Sequence, residues 1–331
     1  RKGLLLTMTN LNLEASEAFS KPPMQLQVSG SIAFDTIMVF QGRFKDHILA
    51  DQVHMLNVAF LAPEMRQEFG GCAANIAYGL LGLECPTRLL GAIGKDGHDY
   101  LQRLQSLGAD VSGVIVRDSL FTAQAFITTD LDDNQITAFH PGAMAVAHEA
   151  KVEPNPASLG IVSPNGRQAM LDHAQAFSDA GIAFVFDPGQ GLPMFNKDEL
   201  LGFIKKASWL AVNDYEGEML SRTVGLGLSE LRRHLQPHPQ AAVIVTKGSQ
   251  GVWLDGPQGS QTLDAVRVEK ALDPTGCGDA FRAGLLWGLA HGLPVWASCK
   301  AGVYLGAAKV QVRGAQNHSI DPAAVKAAAL A

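Results

Sequence analysis

The chain of 331 residues carries a net charge of −6 and is 47% hydrophobic, enough apolar material to bury one large core or two ordinary ones. With 18% charged residues it falls below the roughly 25% of an average soluble domain, and its mild acidity argues against a dedicated nucleic-acid binder but not against a phosphorylated ligand, which backbone dipoles can hold on an acidic protein. Glycine is the outlier, with 34 residues against an average usage near 7% and no collagen period; such an excess points to many tight turns or to backbone lying close to a ligand.

Residues 1 to 23 read as a poorly patterned leader, disordered or non-native. The chain begins with Arg1, its run Leu4-Leu5-Leu6 is too short for a signal-peptide core, and Met24 stands just before the first good strand as the expected start. From Leu26 onward strands and helices alternate. Gln25 to Ile32 reads as a strand that ends in Gly30-Ser31, and Gln52 to Leu61 is strand-like. Ala73 to Leu83 is a helix opened by Gly70-Gly71, Thr87 to Ile93 a strand, and Asp99 to Leu107 a helix closed by Gly108. Thr122 to Phe139, with Asp132-Asp133-Asn134 at its centre, reads as a hairpin. Short apolar runs follow at Leu159–Ser163, Ile182–Phe186, Trp209–Val212 and Ala241–Val245, with helical patterns such as His173–Ala180 and Leu228–Leu235 between them. Buried strands alternating with helices predict a parallel sheet covered on both faces. The two strand-like stretches that no helix follows, within about 47–62 and 121–141, are expected to form a small second sheet, either a lid over a site or an edge extension. No apolar run reaches the roughly 18 residues of a membrane span. Four scattered cysteines, Cys72, Cys85, Cys277 and Cys299, form no CxxC pair and fit the reduced thiols of a cytoplasmic protein.

Five segments carry chemistry. Asp273-Pro274-Thr275-Gly276-Cys277-Gly278-Asp279 precedes a helix whose face is marked by Phe281, Leu285, Leu286 and Leu289. Free N–H groups at that N-terminus favour phosphate oxygens, and Asp279 is placed to accept a proton from an attacking hydroxyl; a glycine turn capped by Asp279 is the plain alternative. Thr246-Lys247-Gly248-Ser249-Gln250-Gly251 follows a buried strand, where open α/β sheets bind nucleotides, but it lacks the P-loop pattern and fits a simple turn equally. Asn213-Asp214-Tyr215-Glu216 fits either a hydrated Mg²⁺ or a capping box. Gly70-Gly71 with Asn75 fits a hydroxyl-bearing ligand or close helix packing, and Asp35, just after Gly30-Ser31, fits a vicinal diol or an exposed turn. The histidines show no HExxH spacing, and neither GxSxG nor a strict GxGxxG after the first strand occurs, which disfavours a metalloprotease, a hydrolase and a dehydrogenase.

In this order, from about Leu26 to Ile320, the segments resemble the ribokinase/PfkB-like carbohydrate kinase family. The early signature is Gly70-Gly71 with Asn75, continuing through Gly91, Gly94 and Asp96-Gly97; the late one is Asp273-x-Thr-Gly-x-Gly-Asp279, with Asn213-x-x-Glu216 and Thr246-x-Gly-x-x-Gly251 between them. The resemblance implies a ribokinase-like three-layer α/β sandwich over residues 24–331, with a mostly parallel central sheet and a small β-sheet lid. It implies an ATP-dependent phosphotransferase in which Asp279 is the base and Gly276, Cys277 and Gly278 supply the N–H groups of an anion hole. By the same resemblance Asn213 and Glu216 organise Mg²⁺ through water, Thr246, Gly248 and Gly251 lie along ATP, and Asp35, Gly70, Gly71 and Asn75 hold the acceptor. A monovalent cation, K⁺, is implied at Asp273, Thr275 and the carbonyls near Val312 and Gly314. The chain departs from the common late signature at Pro274, where Thr is usual, and at Cys277, where Ala is usual; neither change removes the base or the glycines.

Phe34-Asp35-Thr36-Ile37-Met38, Phe69-Gly70-Gly71-Cys72 and Phe139-His140-Pro141-Gly142-Ala143-Met144 look most like the bacterial adenosine/nucleoside kinase branch. The expected acceptor is therefore adenosine or a related nucleoside. A free sugar such as ribose or fructose is the alternative, and a non-catalytic ligand-binding member the third reading. Phe126, Phe139 and Met144 stand either as an apolar slot for a base or as core, with core preferred for each taken singly. The expected partner is a small molecule, with neither nucleic acid nor membrane involved, and an exposed lid offers a surface for a homodimer.

Overall fold

The computed structural model describes residues 19–48, 58–132 and 134–331. In chain order its regular elements are β1 (Leu26–Ser29), β2 (Ala33–Val39), β3 (Glu64–Gly70), α1 (Cys72–Gly82), β4 (Thr87–Gly94), α2 (His98–Ser106), β5 (Val114–Arg117), β6 (Ala123–Thr129) and β7 (Gln135–His140). There follow β8 (Leu159–Val162), α3 (Arg167–Asp179), β9 (Ala183–Phe186), α4 (Lys197–Lys206), β10 (Trp209–Asn213), α5 (Asp214–Val224), α6 (Leu228–Arg232) and β11 (Ala242–Thr246). The chain closes with β12 (Val252–Gly256), β13 (Gly259–Leu263), α7 (Cys277–Ala290), α8 (Val295–Val310) and α9 (Pro322–Leu330).

Nine strands form the large sheet in the order β13-β12-β11-β10-β9-β8-β1-β4-β5. The strands from β11 through β5 are parallel, and β12 and β13 add an antiparallel edge. Alternate side chains of each strand feed opposite cores. Val185 and Ile244 join one core with α1, α7 and α8, while Phe184, Phe186, Val243 and Val245 join the other with α3, α4 and α5. Burial on both faces explains why these strands read as continuous apolar runs. The three-layer α/β sandwich expected from the sequence is present.

A separate four-stranded sheet has the order β3-β2-β6-β7. It differs from the expected lid on its first side. Of the expected Gln52–Leu61 strand, residues 52–57 lie outside the described residues and 58–61 form no strand; the pairing strands are β2 and β3. The Thr122–Phe139 hairpin is found as β6 and β7, with Asp133 outside the described residues. Of the expected leader, residues 1–18 lie outside the described residues. Phe19 is packed against the fold, its ring 5.4 Å from Trp287 and 4.9 Å from His291, with the Lys326 ammonium 4.1 Å away. No described helix is long and apolar enough to cross a membrane, and all four cysteines are free.

Candidate active site

The C-terminal ends of the parallel strands bring the motifs to one edge, the usual ligand side of an open α/β sheet. Asp187 follows β9, Asn213 ends β10 and Thr246 ends β11, the last two being register partners, while Asp35 lies on β2 of the small sheet, which follows β1. The N-terminus of α7 meets this edge.

Gly276 caps α7 with φ +77, a left-handed backbone that disfavours any side chain, and a Cβ there would lie 2.7 Å from that of Ala315. The Cys277 N–H donates to the Pro274 carbonyl, so of the three expected anion-hole donors this one is already engaged. The N–H groups of Gly276 and Gly278 have no acceptor among the described residues; these orphan donors, at the positive end of the helix, suit an anion. The Asp279 carboxyl is buried in this first turn, and burial, aided by Asp187 and Asp35, pushes it up to about 7 against the opposing Asn75 hydrogen bond and Arg282 charge.

Asn75, expected at the acceptor, is tied to Asp279. Its Nδ2 donates to Asp279 Oδ2 at 2.8 Å, and its Oδ1 accepts from Gln316 Nε2 at 3.0 Å. Gln316 is held in turn by Arg103 at 2.8 Å and by the Tyr100 hydroxyl at 2.6 Å, and Tyr100 donates to the Gly70 carbonyl. This chain of bonds fixes the direction of the Asp279 carboxylate from behind.

Asp35 lies over the glycine pair that opens α1. A Cβ on Gly70 would stand 2.6 Å from Asp35 Oδ2, and one on Gly71, whose φ is +90, would stand 2.6 Å from both Ala33 N and Ser31 O. The two glycines thus make room for the carboxylate and for the close approach of α1 to the connection between β1 and β2. Burial, then the charges of Glu68 and Asp273, raise the Asp35 carboxyl to about 6. Asp35 pairs in register with Ala125, and Ala125 with Phe139, so Phe139 projects from the same face of the small sheet. Phe126 pairs with Thr36 and therefore projects from the other face. The expected slot of Phe126, Phe139 and Met144 is corrected accordingly: Phe139 shares the Asp35 face and Phe126 does not. The preference for core fails for Phe126 and Phe139, which are 40% and 51% exposed, while Met144 is half-buried.

Asn213 and Glu216 realise the capping box that their spacing allowed. Asn213 Oδ1 accepts from the Glu216 N–H at 2.7 Å, and Glu216 accepts from the Asn213 backbone at 2.8 Å and from its Nδ2 at 2.9 Å. Burial and Asp187 raise the Glu216 carboxyl above its ordinary value. In the loop after β11, Gly251 (φ +84) is required by packing, because a Cβ would stand 2.0 Å from the Leu263 carbonyl. Gly248 (φ +53) has open space beside it, leaving its backbone approachable. Thr246 donates to the Val212 carbonyl at 3.4 Å.

Two features were not legible in the sequence. Arg282, one turn into α7, forks onto Asp187 at 2.5 and 2.9 Å and donates to the Gly278 carbonyl at 3.2 Å. Both partners are buried, and only as a pair do they escape the cost of a lone interior charge. The pair ties the first turn of α7 to the end of β9. The signal available was a single arginine in an otherwise apolar helix. The second feature is Lys309, fully buried in the last turn of α8. Its ammonium donates to the carbonyls of Asp273 at 2.7 Å and Val312 at 3.2 Å, and stands 3.7 Å from Asp273 Oδ2.

The early-signature residues Gly94, Asp96 and Gly97 serve the framework. Asp96 accepts from the Thr122 N–H at 2.7 Å and Gly94 donates to the Thr122 hydroxyl at 3.0 Å, which pins the entry to β6.

Residues 34–322 match the family described as pfkB family carbohydrate kinase. A solved nucleoside kinase of Burkholderia thailandensis, in complex with inosine, is 42% identical with a TM-score of 0.80, covering 92% of this chain and 96% of that one. A nucleoside kinase of Methanocaldococcus jannaschii is 29% identical over 267 residues, 79% of this chain and 85% of its own length. An ATP-dependent ribose-1-phosphate kinase of Halopiger xanaduensis is 30% identical over 227 residues, 67% of this chain and 73% of its own length.

Proposed function

Because the chain belongs to the pfkB family of carbohydrate kinases and has the ribokinase-like α/β fold, we propose that it transfers the γ-phosphoryl group of ATP to the primary hydroxyl of a nucleoside. The observation that carries the choice of acceptor is the 42% identity, over 92% of this chain, to a nucleoside kinase bound to inosine. Phe139, on the Asp35 face with Ala125, supports it, since an exposed aromatic beside a diol-binding carboxylate suits a ribose that bears a base.

In the proposed reaction Asp35 accepts hydrogen bonds from the ribose hydroxyls and directs the primary hydroxyl toward Asp279. Asp279 Oδ takes the hydroxyl proton as the substrate oxygen attacks the γ-phosphorus in line. The bond from phosphorus to the β,γ-bridging oxygen breaks, ADP leaves, and the proton later passes to solvent. The free N–H groups of Gly276 and Gly278 bear part of the charge on the transferring group. ATP lies along Thr246, Gly248 and Gly251. The residues present fit Mg²⁺ held through water by Glu216 and Asn213: among the described residues no three acidic, His or Cys side chains gather as a direct cage, and Mg²⁺ on phosphates keeps several waters. When bound, the ion neutralises charge on the β- and γ-phosphate oxygens. The small sheet acts as a lid that excludes water and so limits hydrolysis of ATP.

ADP release over a panel of nucleosides and free sugars tests the acceptor. Inosine, adenosine or guanosine is expected to exceed ribose and fructose in kcat/KM by about 10²-fold or more, the value of an occupied base pocket. Equal or higher values for a free sugar would move the chain to the sugar-kinase reading.

A further inference from the structure

We propose that the ammonium of Lys309 fills the cation position beside the anion hole, so that this enzyme works without K⁺. The inference rests on the kinase reading above, but it concerns a different property. The family resemblance implied a monovalent cation at Asp273, Thr275 and the carbonyls near Val312 and Gly314. The structure puts a side chain there instead.

The observations agree on what occupies the space. Lys309 Nζ lies 2.7 Å from the Asp273 carbonyl oxygen and 3.2 Å from that of Val312, two of the oxygens a bound ion would need. An ion seated on the same oxygens would overlap the ammonium. The Asp273 carboxylate is engaged as well: Oδ1 accepts from the Thr275 N–H at 2.8 Å and Oδ2 from the Gly314 N–H at 2.9 Å. Lys309 is 0% exposed, and a charge so buried persists only where oxygens replace its water. Its place in the last turn of α8, at the negative end of the helix, adds to the stabilisation.

The position explains what a cation does here. The Asp273 and Val312 carbonyls belong to two segments, the approach to α7 and the turn after α8. The N–H groups of Leu272 and Asp273 both donate to the Val310 carbonyl, so the two segments already run together. Lys309 cross-links them from inside and thereby sets the direction of the Gly276 and Gly278 N–H groups a few residues on. It touches neither substrate nor reacting atoms, and so it is a positioning residue. A tethered ammonium forfeits no entropy of ion capture and cannot dissociate.

The experiment compares initial rates and melting temperatures in potassium, sodium and choline chloride at equal ionic strength, with ATP, Mg²⁺ and the best nucleoside of the panel. The native protein is expected to give rates equal within about twofold in all three salts, with one Tm. In Lys309→Ala, which opens room for an ion, kcat in choline is expected to fall by about 10²-fold, the usual cost of misaligned oxyanion donors, with nucleoside KM near its original value. Potassium should then restore about tenfold or more of that loss and raise the variant's Tm. A native rate that K⁺ raises about tenfold overturns the proposal, as does a folded Lys309→Ala protein that keeps its full kcat or that no cation revives. If the variant fails to fold, the native protein's response to the three salts decides. Absence of turnover on every acceptor contradicts the kinase reading itself and is a distinguishable result.

Discussion

Replacement of Asp279 by asparagine or alanine is expected to lower kcat by about 10²- to 10⁴-fold while ATP and nucleoside still bind. The carboxylate sits at the first turn of α7, beside the two free N–H groups, with its orientation set by Asn75 and Gln316. Asparagine preserves shape and hydrogen bonding but cannot take the proton, so the loss should appear in kcat and not in the Kd of ATP measured by calorimetry. Turnover of Asp279→Asn near the native value would remove Asp279 from the base role. The pH profile carries the same claim. A carboxyl accepts a proton only when ionised, and burial has raised this one to about 7. The native kcat/KM should therefore fall about tenfold per unit as pH drops below about 7, well above the ordinary carboxyl range near 4. Asp35, raised to about 6, must also be ionised to hold the acceptor, so the limb steepens below that pH. In Asp35→Asn the steepening should vanish and the limb near 7 remain. A limb centred near 4 contradicts both assignments.

Asp35→Ala is expected to raise the acceptor KM strongly. Two hydrogen bonds from hydroxyls to a partly buried carboxylate are worth about 1.5–3 kcal/mol each, so their loss corresponds to about 10²- to 10⁴-fold in kcat/KM for the nucleoside. The KM for ATP should stay near its native value, because Asp35 stands on the small sheet and the proposed nucleotide loops follow β10 and β11. The comparison is made by varying each substrate at saturation of the other. A change confined to ATP would refute the diol assignment. The alanine also removes a carboxylate that Glu68 and Asp273 repel, so the protein itself is not expected to lose stability, and thermal unfolding serves as the control.

Much of the architecture was open to a reading of the residues alone, for identifiable reasons. The parallel strands are buried on both faces, so Trp209–Val212 and Ala241–Val245 stand out as apolar runs whatever their neighbours do. The turn before α7 was legible because Gly276 must adopt positive φ and Asp279 is the carboxylate of its first helical turn. What escaped was governed by tertiary contact. β3 (Glu-Met-Arg-Gln-Glu-Phe-Gly) is largely exposed at a sheet edge, so no core face imposed a pattern on it. β2 begins only a few residues after β1, too soon to read as a second strand. Asn213 and Glu216 supported two readings, and the capping box is the one realised in the geometry; their part in holding Mg²⁺ rests on the proposal. Asp187 and Arg282 are far apart in sequence and meet only through the sheet. Lys309 resembles any cation placed at a helix C-terminus for the dipole. Nothing in Ala307-Ala308-Lys309-Val310 announces that its ammonium points inward.

The most direct measurement of the central claim is the identity of the products. The full chain is incubated with ATP, Mg²⁺ and inosine, and the mixture is resolved by phosphorus NMR and mass spectrometry. ADP and inosine 5′-monophosphate are expected in equal amounts, with no accumulation of inorganic phosphate. ADP and free phosphate beside untouched nucleoside would contradict it.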